Sequence, residues 1–304
     1  MACDNNINDL FASDCPFGLK VASKLFFQPI KDSAGARNGF DTVADFTLAN
    51  INTALAESDQ FARFYPADGE LENVEDTRGD STTQEFNSGN IAFIAQGPRT
   101  FTAIYSNANP QLIDQFNSLT SLNMGFTYAD TDGNYVYQTD PATHKKVYPI
   151  NILKGSLRAT MIPATDTTVS AVQIQFTIPK TVDDSLTRVI PRDTHGIDLF
   201  NDVNARKQVF TPAFTAVATK TTIELTTKYD AAVTGLLLAD FALYNNTQSA
   251  AVTIDSVNEV SDGVYELNHA VGVVSTDVLQ PTITFNPTTT YNFDLVNAST
   301  VTVA

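Results

Sequence analysis

The stretch FTYADTDGNYVYQ, Phe126 to Gln138, constrains this chain more than any other. Aromatic and β-branched residues on both sides of Asp132-Gly133 predict a strand, a tight turn and a returning strand. Asp-Gly suits a two-residue type I′ turn, which needs φ > 0 at both central positions. That turn would set Tyr128 opposite Tyr137, Asp130 opposite Tyr135 and Phe126 opposite Thr139. Phe126, Tyr128, Tyr135 and Tyr137 then form one aromatic face, with Thr127, Ala129, Val136 and Gln138 on the other. An isolated hairpin is barely stable in water, so the aromatic face has to be covered by the domain or by another subunit.

The remaining pattern extends this β reading. Val21 to Ile30 reads as a first strand that stops at Pro29. Ile91 to Gln96 and Thr100 to Tyr105 flank Gly97-Pro98 as a second hairpin. Pro110 to Leu119 predicts a helix, with Leu112, Ile113, Phe116 and Leu119 on one apolar face. A shorter helix fits between Asp45 and Ser58, where Phe46, Ala49, Ile51, Leu55 and Ala56 are suitably spaced. After Pro149 to Ile162 comes Ala171 to Pro179, in which Val172, Ile174, Phe176 and Ile178 alternate with Gln173, Gln175 and Thr177. One face of that strand belongs to a core, and the other is wet or faces a subunit. Residues 181–209 read as a segment leaving the sheet.

Beyond Pro212, short strands recur at near-regular spacing with turns at Asn245-Asn246 and Asp262-Gly263, the pattern of a small sandwich. Charge shifts at the same place: 16 basic and 25 acidic residues precede Val209, against 2 and 9 from it onward. The expected fold is therefore mainly β in two domains. Residues 1–208 form an antiparallel β-sandwich with an N-terminal arm, one flanking helix and long loops. Residues 209–304 form an Ig-like β-sandwich.

A net charge of −16 disfavours a nucleic-acid binder, which needs a basic stripe to displace counterions from phosphates. It suits a solubilised surface, and also one that nucleic acid must pass without sticking. No apolar run approaches the length of a membrane span. The opening MACDNNINDLFASDCPFG has neither a basic start nor an apolar centre, so no secretory signal is expected from it. Cys3 and Cys15, the two cysteines, lack zinc-site spacing and read as reduced thiols of a cytosolic assembly compartment.

Tyr65 to Gly89 carries a dense acidic cluster with little apolar periodicity. Asp68, Glu70, Glu72, Glu75, Asp76 and Asp80, with Arg78 as the one cation, read either as a solvated loop or as a segment that orders against a neighbouring subunit. Asp130, Asp132, Gly133 and Asn134 offer clustered oxygens, but Gly133 directly follows Asp132 and no EF-hand spacing results, so a turn is expected and no metal. His144, His195 and His269 lie in no triad or metal context, and no phosphate-binding glycine loop or zinc-protease motif is present. Neither catalytic residues nor a cofactor is expected.

The segments TTIELTTKYD (Thr221 to Asp230), VTG followed by ADFALYN (Val233 to Asn245), and VTIDSVNEVSDGVYEL (Val252 to Leu267) resemble bacterial and phage Ig-like domains. The order of elements over the first two hundred residues is similar to that of the major tail tube proteins of tailed bacteriophages. It runs arm, acidic loop, strand pair, one helix, aromatic hairpin and closing alternating strand. This resemblance implies a virion structural protein whose sandwich forms hexameric rings stacked into a tube, with loops and arms bridging the rings. It also implies contacts with other virion tail proteins, passage of DNA without specific binding, weak contact of the Ig-like domain with cell-surface glycans, and assembly in the host cytoplasm. Alternative expectations are another virion ring, neck or capsid-associated protein, or a cell-surface adhesin or carbohydrate-binding module.

Overall fold

The computed structural model describes residues 19–303 apart from 58, 68, 70, 89, 107–110, 168, 212, 228–229, 270–272, 284–291 and 296–299. The expected N-terminal arm with Cys3 and Cys15 lies outside the described residues, as does Pro110. The chain is mainly β and divides into two compact units, one ending at Val203 and the other beginning at Asn204.

The strands of the first unit are β1 (Ala22–Pro29), β2 (Tyr65–Pro66), β3 (Leu71–Arg78), β4 (Thr82–Glu85), β5 (Ile91–Ala95), β6 (Arg99–Ser106), β7 (Met124–Asp130), β8 (Tyr135–Gln138), β9 (Ile150–Asn151), β10 (Arg158–Ile162), β11 (Ala171–Ile178) and β12 (Thr187–Ile190). Its helices are α1 (Leu48–Ala56), α2 (Gln111–Leu119) and the single turn α3 (Arg192–His195). A six-stranded sheet runs β12-β8-β7-β1-β2, with β9 also on β7, and a four-stranded sheet runs β10-β11-β6-β3.

The two sheets pack face to face. Phe126 of β7 meets Phe176 of β11 with ring centroids 4.7 Å apart, and Phe176 stacks on Phe101 of β6 at 4.9 Å. The apolar face of α2 closes one side, where Phe116 meets Phe27 edge-on at 5.5 Å. The six-stranded sheet is buried on its second face as well. There Phe46 stacks on Tyr135 at 4.1 Å and Phe64 on Phe26 at 5.4 Å, beside buried Ile51 and Leu55 of α1. Thr47 caps that helix by accepting from the Asn50 amide.

This double burial corrects the expected hairpin. Tyr128 pairs with Val136 and Ala129 with Tyr135, one residue away from the two-residue turn register. The turn is a three-residue loop, Thr131 to Gly133, in which Gly133 alone is left-handed at φ 82°. Its backbone N–H donates to the Asp130 carbonyl at 2.9 Å, and the Asp130 N–H donates to the Asn134 carbonyl at 2.9 Å. The Asp130 carboxylate fixes this loop by accepting from the amides of Asp132 and Asn134 and from the Asn134 side chain, each at 2.9 Å. A shift of one residue sends each side chain to the opposite face. Phe126 and Tyr128 therefore join the inter-sheet core with Val136. Tyr135 and Tyr137 point the other way, and the Tyr135 hydroxyl lies 2.7 Å from Thr127 Oγ1.

Three further expectations change. The acidic stretch after Tyr65 is mostly strand, as β3 and β4. β5 pairs with β4 rather than β6, so Gly97-Pro98 is not a hairpin turn. Residues 71–106 instead form one long ribbon, β3 with β6 at the base and β4 with β5 at the end, bent where the Gly79 N–H donates to the Pro98 carbonyl at 2.8 Å. A Cβ on Gly97 would lie 2.0 Å from the Gly79 carbonyl oxygen, so the bend requires glycine there. Finally, part of the segment after residue 180 returns to the sheet as β12, antiparallel to β8.

The second unit contains β13 (Arg206–Phe210), β14 (Phe214–Val217), β15 (Lys220–Glu224), β16 (Thr226–Thr227), β17 (Phe241–Asn245), β18 (Ala250–Val252), β19 (Ile254–Ser261), β20 (Val264–His269), β21 (Val278–Ile283), β22 (Asn292–Leu295) and β23 (Val301–Thr302). It begins before Gln208 because β13 pairs with β16 and β22. Sheets β14-β15-β20-β19 and β18-β17-β21-β23 enclose a core that includes Ile223, Leu267, Phe241 and Ile283. The Tyr265 hydroxyl donates to the Val233 carbonyl at 2.8 Å and accepts from the Leu236 amide at 3.2 Å, tying the segment between β16 and β17 to the core.

Candidate self-association surface

The four-stranded sheet presents one dry face and one wet face. Phe101, Ala103 and Tyr105 alternate with Thr100, Thr102 and Ile104 along β6, and Val172, Ile174 and Phe176 with Gln173, Gln175 and Thr177 along β11. Cross-strand registers set the wet face out in rows. One row is Arg158, Gln175, Thr102 and Glu75, and the next is Thr160, Gln173, Ile104 and Glu72. Hydroxyl and amide side chains dominate. The charged side chains on this face, Glu72, Glu75 and Arg158, lie on the two edge strands, and Arg158 Nε donates to Gln175 Oε1 at 3.1 Å.

The two edges of this sheet differ: the Ala159 N–H of β10 donates to Asn117 Oδ1 of α2 at 3.3 Å and the Leu157 carbonyl accepts from Thr120 Oγ1 at 2.7 Å, so side chains of α2 and its C-terminal end cap part of the β10 edge. Among the described residues, β10 has β11 as its only strand neighbour, and the base of the ribbon leaves the far side of β3 unpaired. Unpaired N–H and C=O groups on an edge strand are a template for another chain.

Beyond the bend, the ribbon is bare on both faces. Ile91 is 68% exposed, Phe93 62% and Ile94 57%, and all four residues of β4, which alternate between the two sides, are exposed too. Phe86 at the tip is also exposed. The sequence pattern there is that of a core strand, yet among the described residues nothing covers it.

Ion pairs brace the base of the ribbon. Arg99 forks onto the Asp76 carboxylate with contacts of 2.6 and 2.5 Å and reaches Asp184 at 3.0 Å. Arg78 also pairs with Asp184 and donates to Gln96 Oε1 at 2.6 Å. The bond to Asp76 raises the Arg99 pKa further above its ordinary value.

The predicted inter-subunit loop is thus divided. Asp68 and Glu70 lie outside the described residues. Asp76 and Arg78 are engaged in ion pairs within the chain, where Arg78 acts as a brace. Glu72 accepts from the Ser106 hydroxyl at 2.5 Å, while Glu75 is exposed on the wet face. Of the packing hairpin, Phe126, Tyr128, Tyr135 and Tyr137 are all buried inside the unit, and burial pushes the Tyr128 and Tyr137 hydroxyls up to about 12.

The histidines have structural surroundings. His195 Nδ1 accepts from the Ile197 amide at 3.0 Å, which leaves Nε2–H to donate to the Gly133 carbonyl at 3.1 Å. Burial lowers its pKa. His269 Nε2 lies 3.1 Å from Thr221 Oγ1 in the second core, and His144 sits in a left-handed turn at φ 54°. Among the described residues no three His, Cys, Asp or Glu side chains are grouped to hold a metal, and no helix is long and apolar enough to cross a membrane.

Arg158, Arg99, Asp184 and the exposed residues of β5 did not emerge from the sequence as site residues. The alternation Leu157, Arg158, Ala159, Thr160 could have placed Arg158 on a wet face. Nothing local marks Asp184. Comparison with family models, with curated proteins and with solved structures yields no match.

Proposed function

We propose that the chain is a virion structural protein, the subunit of a bacteriophage tail tube, assembled into hexameric rings around a channel for genome passage. The observation that carries this reading is the four-stranded sheet with one wet face and, among the described residues, no strand beyond β10 or β3. Its strands are antiparallel throughout and even in number, so β3 and β10 run in opposite directions. β10 of one copy can therefore meet β3 of the next with the antiparallel alternation unbroken, the added strand replacing Asn117 and Thr120 as partners of the β10 backbone. Head-to-tail contacts of this kind close into rings when the rotation fits, and closure removes the edges.

A hexamer would close roughly 24 strands, and with ~4.8 Å between strands the barrel is on the order of 40 Å across between backbones. That leaves an aqueous channel. The wet face lining it carries hydroxyls and amides, with one cation per copy, so it offers phosphates little to bind. The sequence suggested an acidic lining, whereas the carboxylates of this face are confined to one edge strand. The bare ribbon of β4 and β5 supplies apolar surface for contacts between stacked rings and with other tail proteins.

Negative-stain microscopy and light scattering at rising protein concentration test the reading. Rings or tubes with a central channel are expected. A monomer at every concentration overturns it.

A further inference from the structure

Resting on the ring reading above, we infer that Arg158 on β10 of one copy pairs with the carboxylates of Glu75 and Glu72 on β3 of the next copy, and that this charge match sets the partner and register of the seam. Within one chain these groups sit at opposite edges of the same sheet. Arg158 and Glu75 occupy the same row, linked through Gln175 and Thr102, and Glu72 occupies the next row on the same face.

Two features make the match robust to the stagger that barrel closure requires. A bulge between Glu72 and Glu75, with Asn73 left-handed at φ 48°, returns both carboxylates to the wet face three residues apart. With no stagger Arg158 faces Glu75, and with a stagger of one wet-face row it faces Glu72. A second copy is also the occupant that the charges select. The edge carrying the cation lacks carboxylates on its wet face, and the edge carrying the carboxylates lacks cations there, so β10 against β10 or β3 against β3 would oppose like charges. Like charges directly opposite destabilise a strand pair, whereas opposite charges support it. The Arg158 guanidinium keeps further donors beyond the bond to Gln175 for a carboxylate across the seam.

The test uses two full-length variants, Arg158→Glu and the double variant Glu72→Arg with Glu75→Arg. Each alone opposes like charges at every seam, and the protein concentration needed for rings is expected to rise about tenfold or more relative to the parent chain. An equimolar mixture of the two is expected to restore assembly near the parent concentration, because every seam of an alternating ring then joins opposite charges. The restored rings should contain equal numbers of the two chains, readable by mass spectrometry. Circular dichroism and thermal melting of each variant should match the parent, since all three positions are on the wet face.

If the parent forms rings and the mixture stays dispersed, with both variants folded, the charge-matched seam is wrong and the ring reading stands. Single variants that assemble like the parent also overturn the seam. If the parent forms no rings at any concentration, the ring reading and the seam fall together.

Discussion

Two ribbons of this protein look alike in sequence and meet opposite fates. β7 and β8 carry Phe126, Tyr128, Tyr135 and Tyr137 and are buried on both faces, whereas β4 and β5 present Ile91, Phe93 and Ile94 to solvent. Aromatic and β-branched residues make both of them strands. What separates them is their neighbours. β7 lies between β1 and β8 with a second sheet below and α1 with its flanking loops above, while among the described residues β4 and β5 have only each other. Propensity sets the local conformation, and the number of layers set against a ribbon decides whether its side chains stabilise the monomer or remain for another molecule.

The sharpest test of that contrast is Phe126→Ala. Phe126 is fully buried between Phe101 and Phe176, so its truncation should cost about 3–5 kcal/mol, read as a lower urea midpoint. Tyr135→Phe probes the other face of the same ribbon. It keeps the stacking on Phe46 but leaves the Thr127 hydroxyl without its buried partner, for a loss of about 1–3 kcal/mol by the same measurement.

A smaller effect with a pH signature is expected at the ribbon's turn. Because the folded state lowers the His195 pKa, the unfolded chain takes up the proton first. The contribution of this contact is therefore complete above about pH 6.5 and is lost as the pH falls below that value. Thermal melts between pH 7 and pH 5 should show a steeper decline for the parent chain than for His195→Gln. Last, Phe93→Ser on the bare ribbon should change monomer stability by less than about 0.5 kcal/mol while lowering the yield of stacked assemblies in microscopy. A large loss of monomer stability there would erase the contrast between the ribbons.

Much of the fold was legible in local pattern. The alternation at Ala171 to Ile178, the stop of β1 at Pro29 and the apolar stripe of α2 all follow from single-element periodicity. The hairpin register was not legible, because Asp-Gly serves a two-residue and a three-residue turn equally well. The choice is made by the Asp130 carboxylate gathering three N–H donors, a contact that exists only once the loop has closed. The acidic strand β3 was hidden for another reason. Its bulge breaks the period of two, and Glu72 and Glu75 lie on the water side of an edge strand, where composition resembles that of a loop. The candidate surface was less visible still, since an open edge and a shared row are properties of the sheet and not of any one segment.

The brace at the base of the long ribbon has a mechanical consequence. Arg78 and Arg99 hold Asp184, in the helical turn that leads into β12, so a sideways load on the ribbon reaches the six-stranded sheet through two guanidinium groups. The ribbon is a cantilever with its fulcrum at those ion pairs. Because the pairs are partly exposed and screened by salt while the aromatic core is not, raising ionic strength should soften the joint and leave the beam and its foundation intact.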